Sequence, residues 1–159
     1  MSEFQVIGKP HPGIDAVNKV RGQFNYMSDL RLPGMLWGKV LRSTHAHAVI
    51  KSIDCSKAEN LPGVKAIITA KDVPGIPCGP FSPDWRILAG GKVTFMGEEV
   101  AAVAAESPEI AEKALRYITV EYEDLPAVFD PVLAMEPDSP LVQDGSKDNI
   151  AFKFEVSQG

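Results

Sequence analysis

Cysteine is scarce: Cys55 and Cys78 are the only two in 159 residues, and they do not form a C-x-x-C pair. Two such residues cannot ligate a four-cysteine cluster or make a disulfide framework, and both are expected to be reduced, with Cys55 packed. Long apolar runs are missing too. The longest, Val100 to Ala105, is far shorter than the roughly 20 residues a membrane-spanning helix needs. Lys and Arg total 16 against 21 Asp and Glu, for a net charge of -5, and the basic residues do not cluster. That excludes nucleic acid and a membrane surface as expected partners. The opening MSEFQVIGKPHPG has no basic region leading into an apolar stretch and no small-residue cleavage site, so a cytoplasmic chain is expected. LPGM, LPGV and LPAV recur at unequal spacing in different surroundings, which is shared turn chemistry and not a repeat architecture.

What is present reads as a folded domain. A hydrophobic fraction of 45% and a charged fraction of 23% are ordinary globular values, and the length favours one domain, or two small ones, with a real core. Thirteen glycines and thirteen prolines spread along the chain call for short elements joined by tight turns. The expected class is α+β, with a mixed β-sheet, one long helix and several short ones. Residues 1–34 form an irregular lead-in, with a short strand through Val20, Phe24 and Tyr26 interrupted at Gly22. Residues 35–42 and 47–53 alternate as the two arms of a hairpin around STHA. Asp54 and Ser56 are N-cap types for a helical turn ended by LPG, and VKAIIT follows as a buried strand before a Thr69–Asp72 turn. Residues 73–91 make a long proline-rich loop, of a length that in compact domains usually serves function.

The second half is plainer. KVTFMGEEVAAVAAE gives two strands broken at Gly97, the alanine-rich one central because small side chains permit close approach on both faces. SPEIAEKALRYI is the strongest helix: Ser107 caps, Pro108 opens the first turn, and Ile110, Ala111, Ala114, Leu115 and Ile118 share a face. Glu109 with Lys113 and Glu112 with Arg116 are spaced to pair along its outer side. TVEYEDLPAV is an alternating strand and DPVLAM a short helical turn. Ile150, Phe152, Phe154 and Val156 alternate as a terminal strand over 150–159 that wants one face covered, by its own sheet or by a second copy.

Candidate chemistry is thin. In an extended strand His45 and His47 would share a face and could grip one ion. No third or fourth Cys, Asp or Glu stands at ligand spacing, so a zinc site is not filled. The plain reading is that one histidine packs or hydrogen-bonds across the hairpin. Gly90-Gly91-Lys92 lacks the spacing of a phosphate-cradling loop. Glu121, Glu123 and Asp124 read as a solvated face. Glu98 and Glu99 have no nucleophile or positioned partner beside them. No residue is assigned a catalytic, cofactor-binding or metal-ligating role.

The wording of the chain is nevertheless specific. GKPHPGIDAVNKVRGQFNYMSDLRLPGMLWGKVLRSTHAHAVIKSIDCSKAENLPGVKAIITAKDVPG and KVTFMGEEVAAVAAESPEIAEKALRYITVEYEDLPAVFDPVLAM closely resemble the start of the molybdenum-binding large subunit of the xanthine dehydrogenase and aldehyde oxidase family. The most specific matches are D-A-x-x-K-V-x-G, K-V-L-R-S-x-H-A-H, L-P-G-V and G-E-x-V-A-A-V-A-A. The resemblance implies the α/β-hammerhead domain over 35–149, with 150–159 leading toward cofactor domains that lie beyond. It implies hydroxylation of an electron-poor carbon in a purine, another heterocycle or an aldehyde, with water as oxygen source. The complete enzyme would use molybdopterin with molybdenum, [2Fe-2S] clusters and FAD, none of them held by this chain. Its partners would be the remaining molybdenum-binding domains and iron–sulfur and flavin subunits, with Arg42, His45 and His47 as candidate subunit-interface residues. The other reading is a stand-alone interaction or scaffold module that keeps the hammerhead fold without redox work.

Overall fold

The alanine-rich run is the axis of the architecture. In the computed structural model, which describes residues 4, 6–79 and 83–159, it becomes a strand with four of its seven residues buried. The chain divides into two compact units, residues 1–35 and 36–159.

In the first unit, Asp15 pairs with Lys19 one turn on, and helix α1 runs Ala16–Val20. It ends where Gly22 takes φ +67°: the Gly22 N–H donates to Lys19 O (3.1 Å) and the Gln23 N–H to Asn18 O (2.8 Å). Those two bonds satisfy carbonyls left open at a helix end, and glycine takes the left-handed turn without steric cost. The expected strand through Val20, Phe24 and Tyr26 is therefore not formed. Gly22 is a helix terminator there, and the Phe24 and Tyr26 rings meet edge-on at 4.9 Å. A 3₁₀ turn over Met27–Asp29 follows.

Among the described residues the second unit holds six strands: β1 (Trp37–Arg42), β2 (Ala48–Asp54), β3 (Val64–Thr69), β4 (Lys92–Val93), β5 (Glu99–Ala105) and β6 (Thr119–Asp124). Helices α2 (Ser56–Glu59), α3 (Pro108–Leu115) and α4 (Pro131–Ala134) complete it. The class is α+β as expected, but the mixed sheet is instead two antiparallel three-stranded sheets, ordered β1-β5-β3 and β4-β2-β6. The expected hairpin between the arms flanking STHA is corrected by the same pairing. β1 lies on β5 (Leu41 opposite Ala101) and β2 on β6 (Ile53 opposite Val120). Residues 43–47 cross from one sheet to the other.

The physical reason lies in the connector. A register irregularity between Leu41 and Arg42 bends β1 away from its ladder, a usual place to re-aim a strand. Ser43 N–H then bonds Glu98 O (2.9 Å), and Gly97 N–H bonds Ser43 O (2.9 Å), so the chain leaves β1 still tied to the β4–β5 turn. A hairpin would have spent those groups on β2.

One buried cluster, of Ala58, Ala101, Val103, Ala114 and Ile118, lies between the β1-β5-β3 sheet and the helices; a second, of Ala48, Ala89, Val93 and Val100, joins β2 and β4 to the start of β5. Ile53 and Val120 pack against both, so one core runs through the unit. The strand VKAIIT is an edge strand with half-open residues, less buried than its composition suggested.

α3 follows its sequence signals. Ser107 Oγ accepts from the Ile110 N–H (3.3 Å), Pro108 opens the helix, and Ala111 and Ala114 are fully buried. Glu112 meets Arg116 at 3.9 Å and Lys39 at 3.6 Å. Glu109 turns to Ser107, whose hydroxyl holds its carboxyl below the usual value. Ser107→Ala should therefore cost about 1 kcal/mol. Calorimetry should read this as a fall in Tm of about 2–4 °C for a chain of this size; an unchanged Tm would mean the cap carries no stability.

The run 150–159 is not in a strand: Phe154 and Val156 are 78% and 80% exposed. Alternation supplies a face, whereas a strand also needs a neighbouring edge. Within the loop over 73–91, Cys78 and Trp85 exchange both backbone hydrogen bonds, while Pro80, Phe81 and Ser82 lie outside the described residues.

Candidate functional site

The crossing segment 43–47 gathers the polar chemistry of the second unit. Ser43, His47 and Glu98 are its buried polar residues among those described. Ser43 Oγ accepts the His45 N–H (3.0 Å) and donates to His45 O (2.9 Å), a serine turn that holds the connector tight. The Tyr122 hydroxyl is pushed up in pKa by burial, with a hydrogen bond to Ser43 acting the other way.

The two histidines diverge. His45 stacks on the Tyr122 ring at 4.3 Å and places Nδ1 2.6 Å from Asp124 Oδ1. His47 turns inward, with Nδ1 2.7 Å from Pro126 O. A carbonyl oxygen only accepts, so His47 Nδ1 is the donor, and in the neutral ring Nε2 holds the lone pair. The expected shared face is not realised, because 43–47 is a connector and each ring is claimed by a different residue of the segment around β6. Arg42 donates to Glu99 Oε1 (2.6 Å) and Gly97 O (2.8 Å) and stays largely open. Of the three residues singled out by sequence, Arg42 is exposed, His45 half-buried and His47 buried at 7% exposure.

The remaining candidates resolve as structure. Glu98 Oε2 accepts the Thr94 N–H (2.5 Å) and hydroxyl (3.0 Å), closing the turn between β4 and β5. Lys92 Nζ reaches Asp144 at 2.6 Å, and Gly91 O accepts the Ile50 N–H, so Gly90-Gly91-Lys92 is a strand approach. Glu121 takes a bond from Ser52 and Glu123 pairs with Lys51 across β2 and β6. Burial chiefly pushes the Cys55 thiol up, as its apolar neighbours require, and Cys78 is exposed. Among the described residues no three of His, Cys, Asp and Glu come together as a metal donor set. The described residues gather no donor set that fits a molybdenum or iron–sulfur centre. No helix among the described residues is long and apolar enough to cross a membrane.

Sequence reasoning missed Thr94, Asp124 and the Pro126 carbonyl as partners. A Ser two residues before a His was the available signal for the turn. Beside the crossing segment lies an open groove of about 1570 Å³, lined by His47, Thr94, Glu98, Phe129, Leu141 and Asn149 among others.

Comparison with known proteins places this architecture. The model of the aldehyde oxidase and xanthine dehydrogenase a/b hammerhead domain matches residues 21–126. A probable xanthine dehydrogenase subunit of Bacillus subtilis is 46% identical over 140 residues, covering 87% of this chain and 19% of its own length. The carbon monoxide dehydrogenase large chain of Afipia carboxidovorans is 41% identical over 153 residues, covering 93% and 19%. A crystal structure of a Cu,Mo-CO dehydrogenase in its carbon monoxide reduced state superposes with a TM-score of 0.81 at 42% identity, over 91% of this chain and 19% of that one. The chain thus spans about a fifth of the length of these relatives. It belongs to the aldehyde oxidase and xanthine dehydrogenase family, and its matched part is that family's α/β-hammerhead domain.

Proposed function

We propose that this chain serves as the opening part of a molybdenum hydroxylase large subunit, a structural and subunit-interface module for an enzyme that hydroxylates a purine or a related heterocycle or aldehyde with water. The observation that carries this reading is a match running in order through nearly the whole chain, and through the same fold, to large subunits of that family. Residues 1–34 would be its lead-in, 35–149 its hammerhead and 150–159 the passage toward the cofactor domains. Molybdopterin, [2Fe-2S] and FAD belong in this reading to the remaining domains and to iron–sulfur and flavin subunits, in the cytoplasm. Arg42, His45 and His47, gathered at the crossing between sheets, are its candidate contacts to the iron–sulfur subunit, with Arg42 and His45 the more open of the three, since arginine and aromatic groups are favoured at interfaces. A homodimer through the 150–156 run is the further contact it allows. Relatives named for xanthine and for carbon monoxide share this segment, so substrate choice is carried elsewhere.

The test is a hybrid. The matched part of the Bacillus subtilis protein is replaced by this chain and produced with its partner subunits. The hybrid is expected to oxidise a purine at a rate within about tenfold of the parent, that is within about 1.4 kcal/mol in transition-state terms. The 159-residue chain alone is expected to give no turnover with hypoxanthine, xanthine or an aldehyde. A hybrid that folds and loads its cofactors yet is inert, or turnover by the isolated chain, would overturn the proposal.

A further inference from the structure

The corner where His47 meets the β4–β5 turn has more acceptors than donors. Val93 pairs with Ala48, so Thr94 is the next residue on the ladder beside His47. Both donors of Thr94 are spent on Glu98 Oε2, at 2.5 and 3.0 Å. His47 has spent its one proton on Pro126 O, and its Nε2 is buried with no partner among the described residues. Glu98 is 5% exposed, and none of the ion pairs among the described residues includes it. Asp84, Asp130, Asp144 and Asp148 line the same groove with Glu98, against two cations, Arg86 and Lys92, and Lys92 is taken by Asp144. A buried acceptor left without a donor costs about 1–3 kcal/mol, and a buried carboxylate asks for a countercharge. Polar groups in this state mark a site that is completed by something else.

We propose that this corner is half of a hydrogen-bonded anchor, and that the other half is a cationic donor side chain, arginine or lysine, carried by polypeptide that docks along the groove. The occupant is the remainder of the large subunit, so the inference rests on the function proposed above. Two observations single it out: the groove's excess of carboxylates, and the four-fifths of the relatives' length that lies outside this chain. Nε2 is closed from solvent, so the anchor requires the 94–98 turn, held by the two Thr94–Glu98 bonds, to shift for the donor to reach it. Gly97, at φ +94°, gives that turn its bend, and Phe95 and Met96 at its tip are 45% and 68% exposed, the surface such a segment would cover.

The experiment uses the hybrid large subunit and two substitutions that spare the local bonds. His47→Asn keeps a nitrogen where Nδ1 stands, able to donate to Pro126 O, and removes Nε2. Glu98→Gln keeps the acceptor for Thr94 and removes the charge. Hydrogen exchange of the amides in 94–98 and 125–131 is followed in the hybrid and in the 159-residue chain. These amides should exchange at least tenfold more slowly in the hybrid. Each substitution should abolish that protection while changing exchange in the isolated chain by less than twofold. Protection that survives both substitutions overturns the anchor. Loss with His47→Asn alone overturns its cationic character, and equal loss in the isolated chain overturns it by showing that these residues only hold the fold. A parent hybrid whose amides exchange as fast as those of the isolated chain overturns the docking itself, and with it the function proposed above.

Discussion

Ala101→Leu is expected to be among the most damaging single changes to this fold, costing about 1–3 kcal/mol as an overpacked core substitution. Ala101 is fully buried at the centre of β5, opposite Leu41 on β1 and Thr69 on β3, in one cluster with Ala58, Ala114 and Ile118. Its neighbours on that cluster are small because α3 and α2 approach closely, and protein interiors leave few voids as large as an added isobutyl tail. The strand cannot move aside, being bonded on both edges. Ala104 is the internal control: it sits on the opposite face of β5 and is partly open, so Ala104→Leu meets solvent where Ala101→Leu meets a helix. The measurement is Tm by calorimetry, with a fall of about 2–4 °C per kcal/mol at this chain length. Equal Tm values for the two variants would mean that α3 does not press on β5 as described.

Why was this strand legible in the sequence when its partners were not? An unbroken run of small and β-branched residues states that both faces are covered, and it becomes a central strand with β1 and β3 beside it. α3 was equally legible, since Ser107, Pro108 and the Ile110–Ala111–Ala114–Leu115 spacing are local signals that tertiary contacts had only to ratify. Asp130 and Pro131 likewise announced α4, where Asp130 Oδ1 accepts from Val132 and Leu133. The hairpin expectation failed because alternation specifies a face and never a partner. Residues 35–42 and 47–53 both alternate, and whether they pair is decided by how Ser43 spends its backbone groups, on Glu98 and Gly97, more than fifty positions away. Val20, Phe24 and Tyr26 misled for a related reason: the pattern was real, but Gly22 served a helix end.

The candidate site follows the same division. Its residue types were visible as R-S-T-H-A-H, and the family resemblance rested partly on them. Their roles were not visible, because each is set by a non-local acceptor: Asp124 for His45, Pro126 O for His47, Glu99 for Arg42. A sequence reader sees two imidazoles two residues apart and thinks of a shared ligand; the connector sends one onto the half-buried ring of Tyr122 and the other into the core.

The turn L-P-G-V provides the second large expected effect and separates two contributions to it. Val64 N–H bonds Leu61 O at 3.1 Å, with Pro62 and Gly63 at the central positions and Gly63 at φ +90°. This is the geometry of a type II turn, which favours proline first and glycine second. Gly63→Ala must therefore hold an L-residue in the left-handed region, at a cost of about 1–2 kcal/mol. It must also place a Cβ 2.7 Å from Ile110 Cδ1, nearer than atoms can sit. Gly34, in the similar L-P-G-M turn, has φ +74° with nothing within 4 Å of the same added atom, so strain without a clash is its whole penalty. At position 63 the clash lies against the end of a flexible side chain on α3, which Ile110→Ala removes. Gly63→Ala in the Ile110→Ala background should then cost measurably less than in the parent, by about 0.5 kcal/mol or more, the size of coupling seen between residues in contact. Urea denaturation of the four proteins gives the cycle. Additive losses would show that Ile110 yields without cost and that the strain at Gly63 is the entire effect; a Gly63→Ala variant as stable as the parent would mean that the turn does not hold glycine in the left-handed region at all.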